Sequence, residues 1–276
     1  MPFMLMTAPT LLDQPRAKGA AMVSIKSAGG VSRLDGLRQS GALKLLFPRR
    51  DHDIHAIAIN TAGGITGGDR FDLTARAGSN TQLTVSTQAA ERIYRAHPGQ
   101  TGRVRTGLVA EEGASLTWAP QETIVFDHAA LHRQLDVDLA ETARFVMVEP
   151  MLFGRTAMGE TICHARIDDR IVIRRAGRTI YRDGLHLWGD LAAQLDRPAI
   201  GDGARAMASL VLAGADASGH LGPVRNLIRG QGGASLKADD LLVVRLLAKD
   251  GFDLRQTLVP ILDLLTKHTL PQSWRL

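Results

Sequence analysis

The chain has 276 residues with a hydrophobic fraction of 45%, which is enough to bury a full core as one large domain or two small ones. Its net charge of +5 is spread along the sequence and aromatic residues make up only 4%, which argues against a nucleic-acid binder that stacks bases on aromatic side chains. A single cysteine, Cys163, excludes an intrachain disulfide framework, and with no apolar stretch of membrane-spanning length the sequence predicts a cytoplasmic protein that does not insert into membranes.

The first 200 residues predict a mainly β protein. Residues 1–20 hold three prolines and a glycine, and we expect them to form a flexible leader. From residue 21 the hydrophobic pattern has a period of two, interrupted by Gly, Asp and Asn turns, and so predicts short strands. The predicted strands are residues 21–25, 54–59, 71–75, 82–86, 103–109, 115–118, 134–139, 144–148 and 171–173. Similar turn-plus-strand phrases at 77–85 and 110–117 favour a core, about residues 21–200, of stacked β layers as in a sandwich or a β-helix.

The remaining segment, about residues 201–276, predicts a small α/β portion. Residues 207–213 and 241–247 have the pattern of buried strands, and residues 221–229 and 254–267 predict about two helices. In the second helix an apolar face recurs at helical spacing, and this face either packs on the β core or receives a helical partner. No low-complexity linker separates the two portions, so we expect residues 21–276 to form a single domain.

A glycine-rich turn follows the predicted strand at 54–59. Its two glycine pairs are Gly63–Gly64 and Gly67–Gly68, and Asp69 comes directly after them. A P-loop would carry Lys and Ser or Thr in place of the aspartate, and a dinucleotide fingerprint would open a helix, whereas residues 70–76 alternate like a strand. The pattern therefore predicts a structural turn between two strands and no phosphate site.

Common catalytic motifs are missing from the sequence. His128 and His132 are four residues apart, but the glutamate that a zinc protease needs next to the first histidine is absent. No Gly-x-Ser-x-Gly elbow occurs, and Cys163 and His164 are adjacent, so on a strand they would point to opposite faces. A hydrolase is not supported.

Several carboxylates lie in apolar or glycine-rich segments. Glu122 and Asp127 belong to the stretch 118–127, and Glu160 follows Gly159 near Arg155. Buried charge is costly unless it is paired or bound to a cation. Two interpretations stay open at this point: carboxylates paired with Arg155 or other cations for stability, or carboxylates that line a polar passage.

Five segments in the same order resemble the UreD family of urease accessory proteins, also called UreH. They are Leu-Phe-Pro-Arg at 46–49, Asn60 with the Gly-Gly-x-x-Gly-Gly-Asp turn, Ser-Thr-Gln-Ala-Ala at 86–90 with Tyr-Arg at 94–95, the stretch 118–127, and Gly-Arg at 154–155 with Gly-Glu at 159–160. Together they span roughly residues 40–190.

The resemblance implies a non-enzymatic assembly factor. Family members bind UreF, which recruits the GTPase UreG, and dock on urease apoprotein to help deliver nickel. It also implies a stacked β core with two C-terminal helices and a polar tunnel for the metal. By position, Asp69 and Glu160, followed by Glu122 and Asp127, are the candidates for this passage. Nickel would be in transit and no cofactor tightly bound, which suits scattered carboxylates and amides better than a closed His or Cys cage.

Two other functions are alternatives to a urease accessory role. A carbohydrate-active enzyme on a β-helix or sandwich would use Asp69, Glu122 or Glu160 as acid and base, with Arg155 neutralising charge. A nucleic-acid binder would follow from the sequence pI near 9.8.

Overall fold

The fold is known from a computed structural model that describes residues 15–155 and 159–275. Within these residues the chain forms seventeen strands and three helices. The strands are β1 Lys18–Ala28, β2 Val31–Gly41, β3 Leu43–Leu46, β4 Ile54–Asn60, β5 Arg70–Ala77, β6 Gln82–Thr87, β7 Glu91–Ile93, β8 Gly102–Ala110, β9 Ser115–Ala119, β10 Thr123–Val125, β11 Ala130–Leu139, β12 Arg144–Phe153, β13 Ala165–Arg175, β14 Arg178–Gly189, β15 Ala206–Ala213, β16 Gly232–Ala238 and β17 Leu241–Ala248; the helices are α1 Leu191–Leu195, α2 Ala217–Leu227 and α3 Gly251–Leu265.

The strands form two large sheets that stack as the coils of a solenoid. One sheet has the order β14-β13-β11-β8-β5-β1-β2, and the other has the order β16-β17-β15-β12-β9-β6-β4-β3. Successive coils pass from one sheet to the other, so the central pairs β5–β8, β8–β11 and β11–β13 are parallel, as are β4–β6, β6–β9 and β9–β12. The short strands β7 and β10 branch from the second sheet, where β10 pairs with the end of β12 and β7 pairs with β10. The predicted mainly β, stacked core is confirmed.

Side-chain alternation fills the solenoid. On β5, every second residue from Phe71 to Ala77 is buried and the residues between are exposed, because one face of the strand meets the core and the other meets water. On β12 both faces are covered: Phe145 and Met147 point into the solenoid, whereas Val146 and Val148 pack into a second core on the outside of the sheet.

The second core is made by the C-terminal elements. Asp250 caps the N-terminus of helix α3, where its side chain accepts a hydrogen bond from the backbone N–H of Asp253. The helix contains Pro260 on its less buried side. The apolar face predicted from the sequence is buried against this sheet. Its members are Leu254, Leu258, Ile261, Leu262 and Leu265. Of the two alternatives left open for this face, packing on the β core is the one observed.

The boundaries of the predicted elements differ in places. Strand β1 begins at Lys18, so residues 18–20 belong to the fold and not to the expected leader; residues 1–14 of that leader lie outside the described residues. The two predicted C-terminal helices correspond to α2 and α3, and α1 is an additional short helix before them. The hairpin strands β2 and β14 lie at the edges of their sheet and are largely exposed, which explains why their sequences carry no clear alternation. None of the described helices is long and apolar enough to cross a bilayer.

Candidate functional site

A cavity of about 280 Å³ lies inside the solenoid, between the two sheets. Apolar side chains such as Phe71, Leu73 and Leu131 form part of its wall, and polar groups from the strand ends form the rest. At one end its lining includes Gln88 and Arg92, which are exposed, so the cavity reaches solvent there. A β-solenoid usually fills its interior with apolar side chains, and the polar lining is therefore the feature to explain.

The inner end of this cavity is closed by a buried cluster of three charged residues. Arg133 on β11 donates from Nε to Oδ1 of Asp169 at 2.9 Å, and its Nη2 lies 2.5 Å from Oδ2 of the same carboxylate. Nη1 of Arg133 lies 2.6 Å from Oε2 of Glu149 on β12, and Oε1 of Glu149 accepts a hydrogen bond from the indole of Trp118 at 2.7 Å. One guanidinium faces two carboxylates, so the cluster is net negative when both are ionised.

The three side chains lie inside because of strand alternation. Arg133 has the inward orientation of Leu131 and Leu135, and parallel pairing of β11 with β13 sets it directly beside Asp169. Glu149 has the same inward orientation as Met147 and Met151 on β12. The cluster is therefore built from three consecutive strands of the solenoid, β11, β12 and β13.

Burial and pairing act in opposite directions on these groups. Burial raises the pKa of Glu149, and Arg133 offsets this only in part. Burial lowers the pKa of the Arg133 guanidinium, but the carboxylates of Asp169 and Glu149 outweigh it and the net shift is upward. Among the described residues Oε2 of Glu149 has no partner with hydrogen-bond geometry, although the guanidinium is close. That oxygen is an incompletely satisfied acceptor inside the fold.

Beyond the cluster a second, narrow cavity of about 10 Å³ has room for roughly one water molecule. It shares Arg133 and Glu149 with the first cavity and is also lined by Asp183, Ser209 and Arg245. Asp183 lies 2.5 Å from Nη2 of Arg245, whose side chain is 40% exposed, so this cavity reaches the surface there.

Asp183 also interacts with a residue of its own strand, β14. It accepts a hydrogen bond from the hydroxyl of Tyr181 at 3.1 Å, and burial together with this carboxylate raises the pKa of the tyrosine. Charged and polar side chains thus follow one another from the solvent-facing end of the large cavity to Arg245.

The glycine-rich turn lies beside the open end of the large cavity. Asn60 donates from Nδ2 to the carbonyl of Gly64 at 3.0 Å and to the carboxylate of Glu91 at 3.1 and 3.2 Å. Burial raises the pKa of Glu91. Gly64 has φ of 159°, and a Cβ there would lie 2.3 Å from the ring of Tyr94, so the turn requires glycine at this position. Gly63 lines the cavity itself, while Gly67 and Gly68 complete the turn into β5.

Two of the four carboxylates expected in the passage have structural partners. Asp69 is buried and accepts hydrogen bonds from the backbone N–H groups of Ala17 and Thr66, both at 2.8 Å, so it fixes the glycine turn. Glu122 is buried and paired with Arg255 of α3 at 2.6 Å, which joins the helix to the solenoid. Neither carboxylate lines the two cavities.

The other two carboxylates come together at a corner of the solenoid. Glu160 pairs with Arg155 at 2.9 Å, and its Oε1 lies 3.5 Å from the backbone nitrogen of Asp127. Asp127 accepts a hydrogen bond from the backbone N–H of His164 at 2.9 Å. Burial raises the pKa of this carboxyl group, but hydrogen bonds from the backbone, with that of His164 first, outweigh burial and lower it overall. Passage of nickel past any of the four carboxylates stays a prediction.

The sequence reasoning missed Arg133, Glu149, Asp169 and Asp183, although three of them leave a signal. Arg133 and Asp169 take the inward positions of alternating strands, and Glu149 interrupts an apolar run from Phe145 to Phe153. A charged residue at an inward position is rare and requires a partner. Asp183 lies on a mostly exposed edge strand, where no such signal exists.

The chain matches the family described as "UreD urease accessory protein" over residues 17–275. It is similar to "Urease accessory protein UreD" of Roseobacter denitrificans, with 58% identity over 273 residues that cover 99% of this chain and 100% of the relative. It is also similar to the proteins of the same description from Ruegeria sp. strain TM1040, 53% identical over 95% of this chain and 91% of the relative, and from Rhizobium etli, 45% identical over 95% and 96%.

Proposed function

Because the chain belongs to the UreD family of urease accessory proteins, we propose that it is a scaffold that binds UreF, UreG and urease apoprotein and guides nickel through its interior during urease maturation. Its role in maturation is an accessory one and not that of an enzyme. The chain carries no P-loop motif, so in this proposal GTP is hydrolysed by the partner UreG.

The observation that carries the proposal is the buried carboxylate of Glu149, at the meeting point of the two cavities. A divalent cation in a protein interior needs negative charge close by, because it has lost most of its hydration. Glu149 and Asp169 supply that charge, and Glu149 Oε2 is the oxygen without a hydrogen bond among the described residues. Glu91 at one end and Asp183 at the other supply further carboxylates along the same line.

Transit requires that the ion is released as readily as it is bound. Nickel prefers imidazole and thiolate donors to carboxylates, and none of the residues that line the two cavities is a histidine or a cysteine. Carboxylate, amide and hydroxyl oxygens therefore hold the ion weakly at each point. The interior suits transfer better than storage.

Arg133 is the gate in this proposal. Its guanidinium occupies the space between Glu149 and Asp169, and a cation that passes must take its place as their counter-charge. Side-chain rotation of the arginine opens the narrow part, since the smaller cavity holds about one water in its present form. Binding of a partner is the event that would favour this rotation.

The test is co-expression of the tagged chain with a urease operon, followed by affinity capture and mass spectrometry. Recovery of UreF, UreG and the urease subunits is the expected result. A capture that retains none of them, from cells in which all are present, would contradict the scaffold role. The untagged chain is the control for non-specific retention.

A further inference from the structure

One corner of the solenoid brings two imidazoles and a carboxylate together outside the interior cavities. Asp127 and His128 follow β10, and His164 directly precedes β13 in the next coil. The nitrogen and oxygen atoms that these three residues offer all lie within 4.8 Å of one another. None of the three lines either interior cavity.

We propose that Asp127, His128 and His164 form a binding site for a divalent first-row transition metal ion of the Ni²⁺ or Zn²⁺ class. Two imidazoles with one carboxylate are a donor set that such ions prefer, whereas Ca²⁺ and Mg²⁺ prefer oxygen ligands only. Three protein ligands leave coordination positions open for water or for a donor from another protein.

The geometry needs only a small adjustment to hold an ion. Metal bonds of 2.0–2.2 Å in a tetrahedral site separate neighbouring donor atoms by about 3.4 Å. Oδ2 of Asp127 and Nε2 of His128 are already 3.3 Å apart. The rings of His128 and His164 lie nearly parallel, with an angle of 12° and centroids 5.2 Å apart. The ligand atom of His164 lies within 4.8 Å of the other two ligand atoms, so binding of an ion requires the His164 side chain to move toward them.

The carboxylate is held in place by the backbone. The N–H of His164 donates to Oδ1 of Asp127 at 2.9 Å, which leaves Oδ2 facing His128. A hydrogen bond to one oxygen of a carboxylate orients the other oxygen for a metal ion. The hydrogen bond from His164 also couples the two coils that supply the site.

His128 has a main-chain conformation that disfavours a large side chain. Its φ is 62°, in the left-handed region where glycine is favoured. A histidine there is less favourable than a glycine. The His128 and His164 side chains are both exposed, so neither is needed to fill the core.

The site does not depend on the proposed function, because it is a property of the isolated chain. Its exposure separates it from the interior passage, and the two can be tested apart. An exposed three-ligand site exchanges its ion with solvent readily, as a site for capture or hand-over at the surface would.

The experiment is equilibrium dialysis of the full-length, tag-free chain against NiCl₂ or ZnCl₂, with the bound metal measured by mass spectrometry. His128→Gly is the informative variant, since it removes the imidazole and relieves the backbone at the same position. His164→Ala removes the second imidazole. We expect each variant to lose about one bound ion per chain, or to weaken its affinity by at least about tenfold, while His128→Gly remains folded.

A matched control exists on the solenoid face. His132 and His186 flank Asp168 at 3.0 and 3.9 Å, but Arg170 already pairs with this carboxylate at 3.2 Å. The double variant His132→Ala/His186→Ala should keep full metal binding. X-ray absorption of the Ni²⁺-loaded wild-type chain should show imidazole scattering that is lost in His128→Gly/His164→Ala.

Unchanged metal stoichiometry and affinity in His128→Gly and His164→Ala would overturn the proposal. Loss of the ion in Glu149→Gln but not in the histidine variants would overturn it too, because the bound metal would then be in the interior. Capture of UreF, UreG and urease by the histidine variants reports on the scaffold role separately.

Discussion

Arg133 and Glu149 face each other across the solenoid interior, with Nη1 of the arginine 2.6 Å from Oε2 of the glutamate. Arg133 lies on β11 in one sheet and Glu149 lies on β12 in the other sheet. Each side chain forms part of the wall of both interior cavities. This ion pair therefore links the two sheets and separates the two cavities. Its stability and its charge determine what can pass between them.

Removing the arginine should destabilise the fold strongly. Arg133→Met leaves Glu149 and Asp169 buried with no counter-charge, and loss of one partner from a buried pair costs about 3–5 kcal/mol of unfolding free energy. Urea denaturation at neutral pH measures the change. Arg170→Ala is the control, because that arginine is 63% exposed in its ion pair with Asp168 and its loss should cost less than about 1 kcal/mol. Equal effects of the two substitutions would contradict the account of the cluster.

The pH dependence of stability should change in Glu149→Gln. Because burial raises the folded-state pKa of Glu149 above its unfolded value, the native state binds more protons than the unfolded state between the two. The contribution of Glu149 to stability is therefore full below about pH 4.3, its unfolded pKa, and falls as pH rises through the folded pKa. Glutamine does not titrate. We expect the stability of the variant relative to wild type to improve from pH 4 to pH 7 in denaturation curves, and a constant difference would count against the raised pKa.

His55 should change the pH dependence of stability in the opposite direction to Glu149. Burial, with a smaller contribution from Arg50, lowers its pKa to about 4, and its Nε2 lies 2.7 Å from the hydroxyl of Ser86. The unfolded state then binds more protons between pH 6.5 and 4, so stability is lost as pH falls through this range. His55→Asn should flatten that part of the stability profile, while substitution of the exposed His97 should leave it unchanged. Parallel profiles for wild type and His55→Asn would show that His55 is not responsible.

The glycine turn should tolerate no side chain at Gly64. Alanine there places Cβ 2.3 Å from the Tyr94 ring and forces a strained φ, so Gly64→Ala should lower the unfolding free energy by about 1–3 kcal/mol. Gly219 within α2 is a matched control, since a Cβ there meets nothing within 4 Å. Alanine at Gly219 should stabilise by about 0.5–1 kcal/mol because glycine is a poor helix former. A neutral Gly64→Ala variant would contradict the close approach of the tyrosine.

The architecture was more predictable than the site. Period-two alternation on a strand such as β5 can be read from its own sequence alone. It predicted the stacked core because one face of the strand is exposed to solvent and the other is buried. The edge strand β14 lacks that contrast, since most of its residues are exposed, and it was missed. The helix α3 was predicted because its apolar face is continuous over three turns.

The binding partner of each buried carboxylate depends on which coils of the solenoid stack together. Asp69 was a first candidate for the passage and Glu122 a second one, yet Asp69 fixes a turn and Glu122 pairs with Arg255. Ala17 and Arg255, which bind these carboxylates, are both distant in sequence. The Arg133–Asp169 pair follows from parallel register between β11 and β13, which a single sequence does not reveal. Inward orientation on each strand was visible in the sequence and would have found both residues.

The central claim is that nickel travels past the buried Glu149. The most direct measurement is the nickel content of urease purified from cells that co-express the operon with wild type, Glu149→Gln or the control Asp138→Asn, a carboxylate that is 59% exposed on the outside of the solenoid. The account predicts that Glu149→Gln still captures UreF, UreG and urease, but that the urease contains less nickel and has lower activity, whereas Asp138→Asn matches wild type. Full nickel content with Glu149→Gln would contradict the interior passage.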